Sequence, residues 1–503
     1  GQAKIRLGLV PDQSPPDPSW TAEVALNDVD VAKPFDGRQI ADVTGSLSVD
    51  RDKAMLDASA KIDDVPMEVK LTEPVRRGDG AVAREQVVTA TLDNAAREKL
   101  APGLGEIVNG AIKLELRRLD EATQAVSVDL RSATLTIPWV GWSKGQGIGA
   151  TAKFELTKDG KLSLIRKFAL DGEGFGASGD MSIDDTGLVA ANLSRVRLSP
   201  EDEVALTVRL SKGVYSVVAN GRAFDARSLI STLQRPSTDG DTKAARTSLR
   251  IEGRFDRVVG FSGEQLSGVS IIYGASKGRV SAVDFSGVTS SGQALVAKLR
   301  QPEAMRELSV TTSDAGAVLR FLDAYKRLGG GLANLRLTET RDGAWSGNLD
   351  LRNFQVENEE RLQTIVSAPT GAGGRSLNNA VRSDIDVRSA RFQRAFARLA
   401  LVGGTLSVEN GIVRGEQVGA TFQGIVRDQA GRIDLTGTFM PAYGLNRLFA
   451  ELPVIGAILG NGRDRGLLGI TFKLTGPTMK PNLVINPLSI IAPGVFRQIF
   501  EFR

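Results

Sequence analysis

The chain contains no His and no Cys among its 503 residues. The commonest general base and zinc ligand is therefore missing. So are the thiolate nucleophile and any disulfide framework. Acid–base work would fall to carboxylates, Lys and the 4 Tyr. Adjacent acids occur at Asp63-Asp64, Asp184-Asp185 and Glu359-Glu360. Each falls near an expected turn or helix end, and none has metal-ligand spacing around it. The segment Gly172–Gly179 (GEGFGASG) is glycine-rich. It lacks the Lys-Ser/Thr ending of a phosphate-cradling loop and reads as a turn within sheet. Arg388, Arg391, Arg394 and Arg398 cluster at partly helical spacing. That suits a solvated helix face or contact with anionic headgroups. The residues thus yield no catalytic constellation, no metal site and no cofactor, and the expectation is a protein that is not an enzyme. A net charge of +4, spread along the chain, does not argue for nucleic acid.

Two apolar segments near the C-terminus are the candidate contact sites. Residues 441–460 (PAYGLNRLFAELPVIGAILG) carry only Arg447 and Glu451 as charges. Leu445, Leu448, Phe449 and Leu452 can share a helical face, Pro453 breaks it, and Ile455, Ile458 and Leu459 follow. In the tail, Phe496, Ile499 and Phe500 form a short apolar face beside Arg497 and Arg503. Each segment has two readings: core packed on a sheet, or a surface that meets lipid or a partner. Among these, Leu448, Phe449, Ile455, Ile458, Leu459, Phe496, Arg497, Ile499 and Phe500 are the candidate membrane- or partner-contact residues.

The elements that would position such residues are mainly strands. Met67–Leu71, Ile112–Leu116, Val204–Leu210 and Ile470–Leu474 alternate apolar and polar side chains. Period two gives each strand one apolar and one wet face, which favours antiparallel sheet. Asp159-Gly160, Asp342-Gly343 and Asn410-Gly411 accept the positive φ of tight hairpin turns. Loose echoes such as Gly45–Val49 and Gly404–Gly411 are not a fixed-length repeat. The strongest helix pattern lies over 312–331, capped by Ser313 or Asp314, striped by Val318, Phe321, Leu322, Tyr325 and Leu328, and stopped by a glycine run. Shorter helices are expected at 91–100, Ala226–Leu233, Glu357–Ser367, Ser389–Leu399 and Leu445–Glu451. Loops are expected at Pro11–Pro18, Arg235–Thr247 and Ala368–Arg375. A soft division near 245 separates 1–245 from 246–503. Residues 1–10 already alternate, so the chain is expected to be a piece of a longer protein whose targeting segment lies upstream. No run of 18 or more apolar residues offers a membrane-spanning helix.

An ordered set of short motifs resembles the AsmA-like proteins of Gram-negative envelopes, in particular large members with a C-terminal AsmA-like domain. The motifs are Asp314–Gly331 (DAGAVLRFLDAYKRLGGG), Gly404–Gly411 (GTLSVENG), Gly437–Gly460 (GTFMPAYGLNRLFAELPVIGAILG) and Gly466–Phe500. TLDNAAREKL before Val108-Asn109-Gly110, and Gly221–Ala226, extend the likeness upstream. The resemblance implies a mainly β fold, a long antiparallel sheet curled into an elongated groove with a few short helices. It implies a periplasmic protein, anchored upstream in the inner membrane, that bridges phospholipid toward the outer membrane. The anchor is missing here, and the C-terminal end is expected at the outer membrane. The alternative is a non-catalytic envelope assembly or structural factor acting through partner proteins. A carbohydrate-active enzyme on a long β scaffold is the remote third reading, requiring paired carboxylates in a cleft.

Overall fold

The computed structural model describes residues 3–8, 19–32, 38–76, 82–100, 105, 107–184, 187–235, 248–276, 279–301, 305–340, 342–367, 387–416, 418–441 and 470–485. Its contacts divide the chain into two compact units, Gly1–Ala219 and Asn220–Arg503. The division falls inside the strand Val214–Asp225. The sequence division near 245 falls in a stretch outside the described residues. The fold class is mainly β, with a long sheet that is not closed into a barrel, and the described residues include four α-helices. These are α1 Asn94–Leu100, α2 Arg227–Gln234, α3 Ala315–Phe321 and α4 Glu360–Ser367.

In the first unit the strands pair antiparallel in chain order, from Ala3–Gly8 against Ser19–Val29 through to Gly187–Arg197 against Glu203–Ser211. A small separate sheet joins Val108–Gly110, Ala133–Ile137 and Trp142–Lys144. It sits beside α1, where Arg97 is buried and donates to the carbonyls of Gly110 and Val108 at 3.0 and 2.6 Å. Lys144, also buried, donates to the carbonyls of Leu130 and Ala133 at 2.5 and 2.6 Å. Each buried cation thus finds backbone carbonyls as its hydrogen-bond acceptors.

In the second unit the same rule holds from Ser248–Val259 to Asn482–Ile485, each strand antiparallel to its neighbour in sequence. Helix α3 is shorter than the sequence suggests. Asp314 caps it, accepting from the Ala317 amide at 2.9 Å. The helix ends at Phe321, Leu322 is exposed, and Leu328 with the following glycines opens the strand Leu328–Glu339. The expected helix over Ser389–Leu399 is instead the strand Ser389–Val402. Asn410-Gly411 lies inside the strand Thr405–Gly415, where Gly411 faces the Phe422 ring, and is no turn. Asp159-Gly160 and Asp342-Gly343 do connect hairpins, with φ of 60° and 84° at their glycines. The expected loops at Pro11–Pro18, Arg235–Thr247 and Ala368–Arg375 lie almost wholly outside the described residues, and the helix at Leu445–Glu451 entirely so.

Local slips in pairing recur on neighbouring strands. In the first unit they include Leu26/Val29, Ala41/Thr44, Lys153/Glu155, Ile165/Phe168, Ser178/Gly179, Ser182/Ile183 and Leu193/Val196. At one of them Lys167 has φ 51°, and its amide donates to Asp180 Oδ1 at 2.9 Å. Bulges bend a strand and sharpen its twist, so slips repeated from strand to strand are a device for bending a sheet.

Candidate functional site

The candidate site is an apolar sheet face built row by row. In the first unit Ala58, Val69, Val88, Leu116, Val126 and Phe154 are successive cross-strand partners. Farther along, Ile165, Met181, Ala191 and Val208 continue the pattern. In the second unit Phe285, Ala297, Val310, Leu335, Leu349 and Ala397 form one such row. It goes on through Gly411, Phe422, Gly437, Phe472 and Ile485. Period-two side chains put each row on a single face, and directly opposed partners on one face pack against each other.

The opposite face is charged and wet. Lys70 pairs with Asp57 at 3.4 Å, Lys298 with Asp284 at 3.7 Å, and Asp350 takes both Arg352 at 2.7 Å and Arg394 at 3.0 Å. These are exposed or half-exposed pairs that stabilise little. The two arginines hold the Asp350 carboxyl below the usual Asp range, Arg352 by the larger hydrogen-bonding effect.

Parts of the apolar face are packed. α3 and α4 bring Ala315, Ile365 and Val366 into one cluster with Phe354, Val356 and Phe392. The Phe354 and Phe392 rings stack 5.1 Å apart. In the first unit Val65, Leu92, Leu130 and Phe175 belong to another such cluster. Elsewhere the face has no such cover among the described residues. Leu193, Val196, Val204 and Leu206 are half-buried and join no buried cluster. The same is true of Ile251, Ile271, Tyr273 and Val283. An apolar sheet face ordinarily buries itself against a second layer. A face left half-exposed over several strands is a surface for apolar ligand or partner.

The candidate contact residues at 448–459 and 496–500 lie outside the described residues. The paired acids sit at turns or a helix start: Asp63 and Asp64 in a turn, Asp184 at a strand end, Glu359 before α4. Glu359 is taken by Tyr325 at 2.8 Å and Arg361 at 3.3 Å. Burial beside Glu359 raises the Tyr325 hydroxyl far above the usual tyrosine range. Among the described residues no group of three or more acidic side chains converges as a metal site, and no helix is long and apolar enough to cross a membrane. The chain matches no protein-family model, no curated protein and no solved structure.

Proposed function

We propose that the chain is the periplasmic part of a lipid-conducting bridge, of the AsmA-like kind its motifs resemble. Phospholipid acyl chains lie along the apolar face, and lipid passes between inner and outer membranes without chemistry. The single observation that supports this reading is the in-register apolar face, half-exposed where no second layer packs on it. Such a surface has a strong drive to take up alkyl chains, about 25 cal/mol per Å² removed from water. In this reading the full-length protein is anchored upstream in the inner membrane, and its C-terminal end lies at the outer membrane.

Mass spectrometry of lipid extracted from the purified protein tests it. The expected result is co-purified phospholipid that falls several-fold in Leu206→Asp and Ile271→Asp and is unchanged in Ser48→Asp, a substitution in a strand's polar register. Finding no phospholipid on the wild-type chain overturns the proposal. Envelope protein partners lost on substitution of Phe449, Ile455 and Ile458, with lipid transfer intact, favour the assembly-factor reading instead.

A further inference from the structure

One line across the second unit breaks the alternation. Leu332 opposes Arg352 and Gly330 opposes Phe354, but the pair Gly331–Asn353 between them is missing from the ladder. On the next strand Arg352 opposes Arg394 and Phe354 opposes Phe392, with Asn353 and Gln393 skipped. The strand after that slips at the same place, between Phe392 and Arg394. The backbone is left-handed at Gly330, Gly331 and Asn353, with φ of 63°, 98° and 52°. As a result Leu351 and Phe354, three residues apart, share one buried cluster, as do Ala395 and Phe392.

This crease holds a cavity of about 350 Å³, with Asn353, Gln355, Arg391, Gln393 and Glu416 in its wall. Arg391, Gln393, Asn353 and Glu416 are exposed, so the cavity opens on the polar face. Its wall carries opposite charges that do not satisfy each other. Among the described residues neither the Arg391 guanidinium nor the Glu416 carboxylate has an ion pair or side-chain hydrogen bond. The two are tied only through backbone, the Glu416 amide donating to the Arg391 carbonyl at 3.2 Å. Gln355 is oriented by Glu357, to which it donates at 2.7 Å. The Asn353 and Gln393 amides add donors and acceptors.

We propose that the crease binds a small zwitterion, one carrying an ammonium and an acidic oxyanion on a short skeleton. Arg391 takes the oxyanion, for which a planar guanidinium is suited, and Glu416 takes the ammonium. The volume lies at the small end of ligand sites. Phe354 and Phe392 also line the cavity, but its charged groups are on the exposed side, so binding of a small zwitterion is tested separately from lipid carriage.

The test is calorimetric titration of the full chain with phosphoethanolamine, against inorganic phosphate and ethanolamine separately. Vesicles of phosphatidylethanolamine, against phosphatidylglycerol, tell a lipid headgroup from a free solute. The expected result is saturable binding of phosphoethanolamine, or of the phosphatidylethanolamine vesicles, at least tenfold tighter than the single-charge probes. Arg391→Gln and Glu416→Gln should each weaken it tenfold or more. Both side chains are exposed, and an unchanged melting curve shows that the variants fold. Absence of binding, equal binding of phosphate alone, or binding indifferent to both substitutions overturns the proposal.

Discussion

Lys144 and Glu339 show how charge is handled where burial leaves few options. The Lys144 ammonium has backbone carbonyls as its hydrogen-bond partners. Burial pulls it below the ordinary lysine range, while the Asp129 charge pulls it back. Lys144→Met keeps the side-chain length but removes two charged hydrogen bonds to the Leu130 and Ala133 carbonyls, so stability should fall by about 2 kcal/mol, measured by chemical denaturation. Glu339 is held between Arg306 and Arg279. Hydrogen bonding from Arg306, with Arg279 adding to it, keeps its carboxyl below the ordinary value of 4.5. A carboxylate with a lowered folded-state pKa adds stability that is complete above its unfolded value and is lost as pH falls through the folded one. Glu339→Gln should therefore flatten the stability–pH curve below about pH 4.5 and leave its slope near neutrality unchanged, read from denaturation midpoints across pH 3–7.

At the level of elements, caps and left-handed turns decide where strands and helices stop. Asp314 accepts from the Ala317 amide and from Ser291 Oγ, the latter at 2.5 Å. Asp314→Ala should cost about 1 kcal/mol and loosen α3, seen as faster amide exchange over Ala315–Phe321. Gly331 has φ 98°, and a Cβ there would meet Leu351 and Phe354 at 3.0 Å. Gly331→Val should destabilise by about 2 kcal/mol or more, measured by thermal unfolding. The same crease explains a misread element. Arg391 and Arg394 are three apart because Gln393 is skipped in the ladder, while Arg394 and Arg398 keep the strand period. Strand alternation with one slip mimics helical spacing, so Ser389–Leu399 looked helical. The cap at Asp314 was readable because it depends on nearest neighbours. The end of α3 was not, because Leu328 is claimed by pairing with Val356, far along the chain.

At the level of the molecule, period two carried most of the fold. Alternating stretches such as Met67–Leu71 and Val204–Leu210 are strands with their apolar side chains turned to one face. That alternation does not encode how far the face remains uncovered. Cover depends on which helices return to it, as α3 and α4 do at Phe354 and Phe392. The C-terminal segments singled out by composition lie outside the described residues. The structure instead draws attention to the plainer strands before them.

Pairing between chain neighbours makes the described strands of the second unit, and those from Ala3 to Leu92 in the first, a run of hairpins. The strands Lys53–Ile62 and Val65–Pro74 lie between Ile40–Asp50 and Glu85–Leu92. Their removal as a block would bring Gly45 opposite Val88 with polarity and face preserved, because Gly45, Ala58, Val69 and Val88 already share a row. The shortened chain should fold with its strand signal intact in circular dichroism. Removal of one strand alone should not, since it would set parallel neighbours on a connection too short for them. The unit of change is then a ruler mark of about 10 Å, two strands at about 4.8 Å each. A lineage that gains or loses whole hairpins changes the length of such a sheet in these steps, with no residue of the remaining face redesigned.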